Sequence, residues 1–258
     1  EQKLELYKDV GINRISIGVQ SLFDDNLKAI GRLHDAKTAI EKIKLARRYF
    51  DNVSADLIIG LPFDTNERIK AEVETLAPLV KHLSMYELSV EKGTALDRMV
   101  KQGKIVLPDD DKTQDLFDCA YDCANASGFE RYEVSNFAKD GKISLHNFGY
   151  WQREEYLGFG AGAHSLLKKS KINVNTTKDF SGQVRYANFR SLSDYKNAVE
   201  SANTYDEICR DFCEYLTGKD VKEEEIMLAL RTNKCIKEEL LPLIPQNLEK
   251  YFERKNGY

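Results

Sequence analysis

Residues 4–90 alternate between strand-like and helix-like patterns, and this alternation constrains the fold more than any other feature of the sequence. Strand segments carry apolar residues at every second position or in short unbroken runs, whereas helical segments carry them at spacings of three and four. The predicted helices are 4–10, 36–50 and 65–80, and the predicted strands are 13–19, 52–59 and 81–90. Strands joined by helices of this length form right-handed βαβ units, so this region predicts an α/β fold with a parallel sheet.

The second half of the chain has a different pattern. It predicts a helix at 112–127, short strands at 132–134, 156–159 and 184–186, and helices at 192–201, 205–216, 223–231 and 243–255. Glycine and asparagine separate the short strands, which favours an antiparallel arrangement. We therefore divide the chain into a βαβ region at 1–110, a helix with a β extension at 111–200, and a helical region at 201–258.

The composition disfavours several classes of protein. Lys and Arg number 38 against 42 Asp and Glu, and the resulting net charge of −4 argues against nucleic acid as a partner. No stretch approaches roughly 18 uninterrupted apolar residues and no basic-then-apolar leader opens the chain, so we expect neither a membrane span nor export. The five cysteines lack the spacing of a secreted disulfide framework, which predicts a reducing, cytoplasmic location.

Polar residues interrupt the predicted strands near their carboxyl ends, where parallel α/β sheets bind ligands. Gln20 follows the first strand, Asp56 lies inside the apolar second strand, and Glu87 and Ser89 lie in the third. A carboxylate among valine and isoleucine side chains is costly to bury without a partner. The residues alone leave two interpretations of Asp56 open, a ligand site and a structural hydrogen bond or ion pair.

Two cysteine pairs have part of the spacing of an iron–sulfur site. Cys119 with Cys123, and Cys209 with Cys213, match the first two positions of a CxxxCxxC motif, but neither pair is followed by the third cysteine. A cluster bound by thiolates needs at least three of them to converge. Both pairs lie at i, i+4 on predicted amphipathic helices, so we interpret most of these cysteines as small buried hydrophobic residues. Cys235 has no cysteine close to it in sequence.

A histidine and a glycine run are further candidates for a binding site. His146 begins the segment HNFGYW at 146–151, where it could act as an axial haem ligand with aromatic neighbours, or could lie in a turn whose aromatic residues fill the core. The run GFGAGAHS at 158–165 could let a flat or phosphate-like ligand approach the backbone. No clear helix follows it, so it is a poor dinucleotide-binding fingerprint.

Taken together, six motifs resemble the radical S-adenosylmethionine (SAM) superfamily. They are GINRISIGVQS at 11–21, GRLH at 31–34, ADLIIGLP at 55–62, YEVSNF at 132–137, HNFGYW at 146–151 and YLGFGAGAHS at 156–165. The last three narrow the resemblance to the oxygen-independent coproporphyrinogen III oxidase-like proteins, and HNFGYW is typical of their haem chaperone branch. The resemblance covers nearly the whole chain.

The resemblance implies an incomplete (β/α)6 barrel, similar to a TIM barrel, of which this chain would supply the last three βα units. Such a barrel would bind SAM and a [4Fe–4S] cluster at the carboxyl ends of its strands, and residues 201–258 would form a winged-helix-like domain. The residues that match SAM-contacting positions of the family are Gln20, Arg32, Asp56, Ser89 and His164. His146 matches the histidine that would contribute to haem binding.

The chain departs from the family pattern at its amino end. The CxxxCxxC motif after the first strand, the glycine-rich segment after the second and the glutamate of the third are absent, and residue 1 is Glu. We therefore expect a fragment that begins at the fourth strand of the barrel and stops inside the small carboxyl-terminal domain. For this chain we predict no catalytic residue, no metal site and no cleavage of SAM.

The resemblance implies that the intact protein is a haem chaperone, which binds haem, SAM and a [4Fe–4S] cluster and delivers haem to a recipient haemoprotein. The alternative is an oxygen-independent coproporphyrinogen III oxidase, which decarboxylates a porphyrinogen by radical SAM chemistry. A third hypothesis is a binding module unrelated to SAM, in which Asp56 is purely structural. The HNFGYW segment favours the chaperone over the oxidase.

Overall fold

The computed structural model describes residues 1–168, 180–203, 208, 210–234 and 236–244. The chain divides into two compact units, Glu1–Ile143 and Ser144–Tyr258, and each is described by itself. The three regions predicted from the sequence, with boundaries at 110/111 and 200/201, stay predictions.

The first unit alternates strands and helices in the predicted order. Its elements are α1 (Gln2–Asp9), β1 (Arg14–Gln20), α2 (Asp24–Ala29), α3 (Ala36–Ala46), β2 (Asn52–Ile59), α4 (Asn66–Leu76), β3 (His82–Glu87), α5 (Ala95–Lys101), α6 (Asp110–Ala126), β4 (Glu130–Arg131) and β5 (Asn136–Ala138). Strands β1, β2 and β3 are parallel neighbours, β5 pairs antiparallel with β3, and β4 pairs antiparallel with β5. The prediction of an α/β fold with a parallel sheet is confirmed.

The core of the first unit lies between one face of the sheet and the helices. Alternate residues of β2 point to this side, and Val53, Ala55, Leu57 and Ile59 are at most 1% exposed. Helices α3, α4 and α6 contribute buried apolar residues to the same cluster. Burial of a large apolar side chain contributes about 1.5–3 kcal/mol, so this layer fixes which face of the sheet is turned away from the helices.

Short polar side chains determine where three helices of this unit begin. Asp35, Thr65 and Asp109 each accept a hydrogen bond from the backbone N–H three residues later, at the amino ends of α3, α4 and α6. Each bond satisfies a backbone donor that the helix itself leaves free, which stabilises the helix by about 1 kcal/mol.

Several predicted boundaries in the first unit are wrong. The helices predicted to reach residues 50 and 80 end at Ala46 and Leu76. The third strand ends at Glu87, so Ser89 lies in the loop that follows it and not in the strand. Helices α2 and α5 have six and seven residues and were not predicted, because such short helices show too little periodicity to be recognised.

The predicted strand at 132–134 is also wrong. These residues connect β4 to β5, and the connection is closed by the backbone N–H of Tyr132, which donates to the carbonyl oxygen of Asn136. The strand pairing falls instead on the residues just outside the predicted segment, where Arg131 pairs with Phe137.

The second unit contains an antiparallel sheet. Its elements are α7 (Leu145–Trp151), β6 (His164–Lys168), β7 (Phe180–Ala187), α8 (Leu192–Glu200), β8 (Phe212–Thr217), α9 (Gly218–Ala229) and a 3-10 helix (Glu238–Leu243). Strand β7 lies between β6 and β8 and is antiparallel to both. The predicted antiparallel extension is confirmed, whereas the predicted strand at 156–159 forms only a single bridge, from Tyr156 to Leu166.

The helical part of the second unit is predicted correctly in two places and wrongly in one. Helices α8 and α9 confirm the predictions at 192–201 and 223–231. The predicted helix at 205–216 is wrong, since its last residues lie in β8, where Phe212, Tyr215 and Leu216 have strand propensity. Residues 204–207, and nearly all of the predicted helix at 243–255, lie outside the described residues.

None of the helices in the described ranges combines the length and the apolarity that a bilayer-crossing segment requires.

Candidate functional site

The face of the first sheet that is turned away from the core carries polar groups in register. Gly18 on β1 pairs with Asp56 on β2, and Asp56 pairs with Ser84 on β3. Ser84 in turn pairs with Asn136 on β5. Paired residues of neighbouring strands point to the same side of a sheet. One row of this face therefore presents a glycine, a carboxylate, a hydroxyl and an amide next to one another.

The side chain of Gln20 reaches this row because of an irregularity at the end of β1. The strand register shifts between Gly18 and Gln20, and Gln20 has a φ of +67°, which is rare for a residue other than glycine. A Cβ atom on Gly18 would lie 2.6 Å from Gln20 Nε2. The amide of Gln20 therefore lies over Gly18, on the same face as Asp56.

Asp56 is half-buried and has one neighbour that orients it. The hydroxyl of Ser16 on β1 donates a hydrogen bond of 2.9 Å to Asp56 Oδ1. Within the described residues, Ser16 is the side chain that bonds this carboxylate, so Asp56 Oδ2 remains available as an acceptor. The position of Asp56 in an otherwise apolar strand thus reflects an open polar face and not a buried ion pair.

The turn after β1 is fixed by a buried carboxyl group of α4. Glu72 is 1% exposed, and its Oε1 accepts hydrogen bonds from the hydroxyl of Ser21 and from the backbone N–H of Leu22 at 2.7 Å. Burial raises the pKa of Glu72 to about 7. These bonds anchor the residues directly after Gln20, and so they stabilise the unusual backbone conformation that places its amide.

A second buried carboxyl group fixes the loop after β2. Asp64 Oδ2 accepts hydrogen bonds from the backbone N–H groups of Gly60 and Leu61 at 3.0 and 2.8 Å, and Oδ1 accepts one from Asn26 Nδ2 at 2.7 Å. The carbonyl oxygen of the Asn26 side chain accepts from the N–H of Phe63 at 3.1 Å. Burial raises the pKa of Asp64 to about 6. Helix α2 and the loop after β2 are therefore held together by one polar network.

Arg32 lies on the exposed loop that follows α2. The loop is tied to the end of β1, since His34 Nε2 lies 3.1 Å from the carbonyl oxygen of Val19 and donates to it. The guanidinium of Arg32 is exposed and has no side-chain partner within the described residues. It is thus free to bind an anionic group beside the carboxyl end of β1.

Ser89 lies in the loop at the carboxyl end of β3 and is exposed. Its hydroxyl is 3.5 Å from Glu91 Oε1, at the limit of a hydrogen bond. The structure therefore places Ser89 at the same edge of the sheet as Gln20, but in a loop.

His82 is a buried polar residue of the same face that the sequence analysis missed. Its Nδ1 is 2.7 Å from the hydroxyl of Ser54 and 3.3 Å from Arg14 Nη2, and its Nε2 is 2.8 Å from the hydroxyl of Tyr132. Burial, with a smaller contribution from Arg14, lowers the pKa of His82 to about 3. The ring is therefore neutral, accepts at Nδ1 and donates at Nε2, and it lies on the same face two residues before Ser84 in β3.

In the second unit, His146 lies on the exposed side of α7. The segment HNFGYW forms this helix, so the predicted alternative of a turn is wrong. His146 Nε2 is 2.9 Å from the hydroxyl of Tyr150, and the two rings meet edge to face at 5.0 Å. Tyr150 meets Tyr156 in the same way at 4.7 Å. An exposed imidazole therefore stands at the end of a row of three rings.

The glycine run at 158–165 packs against its own strand. A Cβ atom on Gly158 would lie 2.2 Å from the carbonyl oxygen of His164, so only glycine fits there. The carbonyl oxygens of Gly158 and Gly160 accept from Asn188 Nδ2 at 3.2 and 2.9 Å. These two backbone carbonyl oxygens therefore already have a hydrogen-bond donor within the protein. His164 itself begins β6 and is exposed.

The described cysteines do not form a cluster site. Cys119 and Cys123 lie half-buried on α6 and pack against the apolar core, as the sequence predicts, and burial followed by the neighbouring Cys119 thiol raises the pKa of Cys123 to about 11. Cys213 is exposed on β8, which corrects its prediction as a buried helical residue. Cys209 and Cys235 lie outside the described residues. Within the residues that the structure describes, no three His, Cys, Asp or Glu side chains converge on a metal position.

The first unit thus presents polar groups at the carboxyl edge of a parallel sheet, where α/β proteins bind ligands. Residues 1–76 match the model of the family described as "Radical SAM superfamily". The first 76 residues therefore resemble a radical SAM domain.

Two curated relatives are similar to a larger part of the chain. The chain is 37% identical to "Heme chaperone HemW" of Bacillus subtilis over 69% of this chain and 48% of that protein. It is 36% identical to "Radical S-adenosyl methionine domain-containing protein 1, mitochondrial" of Dictyostelium discoideum over 87% of this chain and 53% of that protein. The chain thus spans about half the length of the curated relatives it matches.

A solved structure supports the fold independently. The coproporphyrinogen III oxidase HemN of Escherichia coli, a radical SAM enzyme, superposes with a TM-score of 0.68 at 20% identity, over 90% of this chain and 52% of that one. At this identity the likeness concerns the fold. It agrees with the α/β architecture of the first unit and with the antiparallel extension.

Proposed function

We propose that the chain is part of a haem chaperone of the radical SAM superfamily, which binds haem and SAM and delivers haem to a recipient haemoprotein. The observation that carries the proposal is the exposed His146 on α7 within a segment typical of haem chaperones, in a chain 37% identical to a protein named Heme chaperone HemW. The chain covers about half of that protein, so haem delivery by this chain is a proposal.

The polar face of the first unit has the chemistry that SAM requires. SAM carries an ammonium group, a carboxylate and ribose hydroxyls, and it supplies a reactive sulfonium when bound. The free Asp56 Oδ2 suits an ammonium or a hydroxyl group, and the Gln20 amide can both donate and accept. The unpaired guanidinium of Arg32 suits a carboxylate. We propose these three residues as SAM contacts. Ser89, in the loop after β3, and His164, on β6 of the second unit, are further candidates that rest on the family resemblance alone.

His146 has the properties of a haem-iron ligand. It is exposed, its Nδ1 has no partner among the described residues, and Nε2 would have to exchange only the hydrogen bond with Tyr150. Imidazole nitrogen is a common axial ligand of haem iron. The rings of Tyr150 and Tyr156 add apolar surface next to it, which suits a flat macrocycle.

The described cysteines do not fit a [4Fe–4S] cluster. Cys119 and Cys123 are half-buried and pack against the core of the first unit, and Cys213 belongs to the second unit. We therefore assign the cluster to none of the described residues and propose no SAM cleavage by this chain. The free thiols of the described cysteines fit a reducing compartment, and we propose the cytoplasm.

The experiment that tests the function is haem transfer. The chain is loaded with haem, separated from excess haem, and mixed with a haem-free acceptor haemoprotein whose absorption spectrum differs from that of the loaded chain. We expect the acceptor spectrum to develop at the expense of the donor spectrum, faster than with haem bound to serum albumin. Absence of transfer from a loaded chain would reject delivery.

Product analysis separates this function from the oxidase. When the anaerobically reconstituted full-length parent, which would carry the cluster, is incubated with coproporphyrinogen III and SAM, the chaperone proposal predicts unchanged substrate. Formation of protoporphyrinogen would establish the oxidase in its place.

A further inference from the structure

A small cavity in the second unit is lined by hydrogen-bond donors. It has a volume of about 100 Å³, and Trp151 and Arg153 form one wall while Lys234, Lys237 and Glu225 form another. None of these residues enters the proposed haem and SAM sites. Three cationic side chains and one carboxylate around so small a volume give it a positive character.

Arg153 is the central group of this cavity. It is 3% exposed, and its Nε donates a 2.9 Å hydrogen bond to Glu224. The same carboxylate is bound by Arg185 Nη2 at 2.7 Å, so one negative charge is shared between two guanidinium groups. Nη1 and Nη2 of Arg153 are buried and have no hydrogen-bond partner in the described structure. A buried guanidinium with an unsatisfied outer edge is costly, so its persistence calls for an explanation.

The backbone of Arg153 is strained in a way that favours this placement. Its φ is +52°, in the left-handed region that non-glycine residues rarely adopt. Two hydrogen bonds fix the turn, from Arg153 N to the carbonyl oxygen of Tyr150 at 3.1 Å and from Glu154 N to that of Gly149 at 2.8 Å. Such strain persists where the surroundings enforce it, and it is concentrated at functional sites.

All of the unsatisfied groups in the cavity wall are donors. Trp151 Nε1 is also buried without a partner in the described structure, and an indole nitrogen can only donate. Lys237 lies 4.0 Å from Glu225, whereas Lys234 has no carboxylate partner among the described residues. A ligand that satisfies these groups must accept several hydrogen bonds and carry negative charge.

We propose that this cavity binds an oxyanion with two neighbouring oxygens, a carboxylate or a phosphate, which Arg153 Nη1 and Nη2 hold end-on. The parallel N–H bonds at the end of a guanidinium match two such oxygens, and Trp151 Nε1 adds a third donor. The oxyanion has two possible sources, a small free anion and a propionate side chain of the porphyrin. The second source rests on the proposed haem-binding function, whereas the first does not.

Trp151 provides the readout, since it is the single tryptophan of the chain. Inorganic phosphate and propionate are titrated into the chain at constant ionic strength while tryptophan fluorescence is recorded. We expect a saturable change with at least one of these anions. Arg153→Lys keeps the charge but removes the two-pronged edge, and we expect it to weaken binding about tenfold. Lys196→Gln, an exposed lysine of α8 outside the cavity, should bind as the wild type does.

A second arm identifies the source of the oxyanion. Haem and haem dimethyl ester, which lacks free propionates, are compared by absorption titration in the wild type and in Arg153→Lys. If the wild type binds the ester more weakly than haem, and Arg153→Lys binds the two compounds equally, the site holds a propionate of the porphyrin. Equal binding of the two compounds assigns it to a free anion. Failure of haem to bind at all counts against the haem function and leaves the phosphate and propionate titrations to decide.

The proposal is overturned if neither anion changes Trp151 fluorescence saturably, or if Arg153→Lys binds as tightly as the wild type. The fold of each variant is checked by circular dichroism and thermal unfolding. If Arg153→Lys does not fold, Lys237→Gln, which changes only an exposed lysine of the cavity rim, carries the test. We expect about threefold weaker binding from this variant, within the range of a partly exposed charge, and unchanged affinity would equally overturn the proposal.

Discussion

The hydroxyl of Ser16 on β1 donates a 2.9 Å hydrogen bond to Asp56 Oδ1 on β2, which orients the carboxylate on the open face of the sheet. The second carboxylate oxygen has no partner among the described residues. A charged group that is oriented but only half satisfied is prepared to bind a ligand.

Asp56→Asn is expected to weaken SAM binding by about tenfold, because it removes the negative charge of the Asp56 carboxylate. Equilibrium dialysis with labelled SAM measures the effect. Asp122→Asn, an exposed carboxylate of α6, serves as the matched control and should bind SAM as the wild type does. If Asp56→Asn and Gln20→Ala both leave SAM affinity unchanged, Asp56 has a structural role only.

Glu72→Gln is expected to raise the free energy of unfolding at pH 8 but not at pH 5. Burial raises the pKa of Glu72 from 4.5 to about 7, so the folded protein holds a proton that the unfolded chain has lost. The raised pKa of Glu72 contributes stability that is fully present below pH 4.5 and is lost as the pH rises through 7. The loss lowers the free energy of unfolding by about 1–3 kcal/mol. The uncharged amide avoids this loss. Denaturant unfolding at several pH values measures the difference between variant and wild type.

Other buried groups also change the stability of the protein with pH. The quantity to compare is therefore the difference in unfolding free energy between Glu72→Gln and the wild type at each pH. Asp64, whose pKa is raised to about 6, acts in the same direction, and His82, whose pKa is lowered to about 3, acts in the opposite one. Arg68 on α4 favours the charged form of Glu72. Glu74→Gln, an exposed neighbour on the same helix, should show no such pH dependence. A pH-independent difference for Glu72→Gln would contradict this assignment.

Gly158→Ala is expected to destabilise the second unit by about 1–3 kcal/mol, since its Cβ atom would lie 2.2 Å from the backbone oxygen of His164. Neither atom belongs to a flexible side chain, so the backbone itself must move. Gly218→Ala is the control, because a Cβ atom there meets nothing within 4 Å. Thermal unfolding of both variants measures the effect, and equal stability of the two would show that the loop adapts.

Cys119→Ala and Cys123→Ala are expected to lower stability by about 1 kcal/mol without changing the iron content of the reconstituted chain. Both thiols pack against the core of the first unit, and neither has a third ligand within the described residues. Iron and sulfide analysis after anaerobic reconstitution measures the cluster. A full cluster complement in the wild type that is lost in these variants would contradict the assignment.

Much of the first unit is predictable from the sequence because its elements bury one face each. The strand predicted at 52–59 agrees with β2 at both ends. The prediction of secondary structure failed where the local sequence pattern and pairing with a distant strand favour different elements. Residues 212–217 carry apolar residues that suit either a helix face or a strand, and pairing with β7 decides for the strand.

The site is predictable in part for the same reason. Polar residues inside apolar strands, such as Asp56, stand out in the sequence. Glu72 was missed although a signal existed, since it lies between Ile69 and Val73 at the spacing of the buried face of α4. The conformation of Gln20 has no such signal, because a strand irregularity depends on the neighbouring strand.

Absorption titration with haem tests the central claim most directly, because it measures binding at the proposed ligand His146. The wild type should bind one haem per chain with a saturable shift of the main absorption band. His164→Ala, which removes another exposed histidine of the second unit, should behave like the wild type, whereas His146→Ala should lose the shift. An unchanged haem spectrum in His146→Ala would contradict the account.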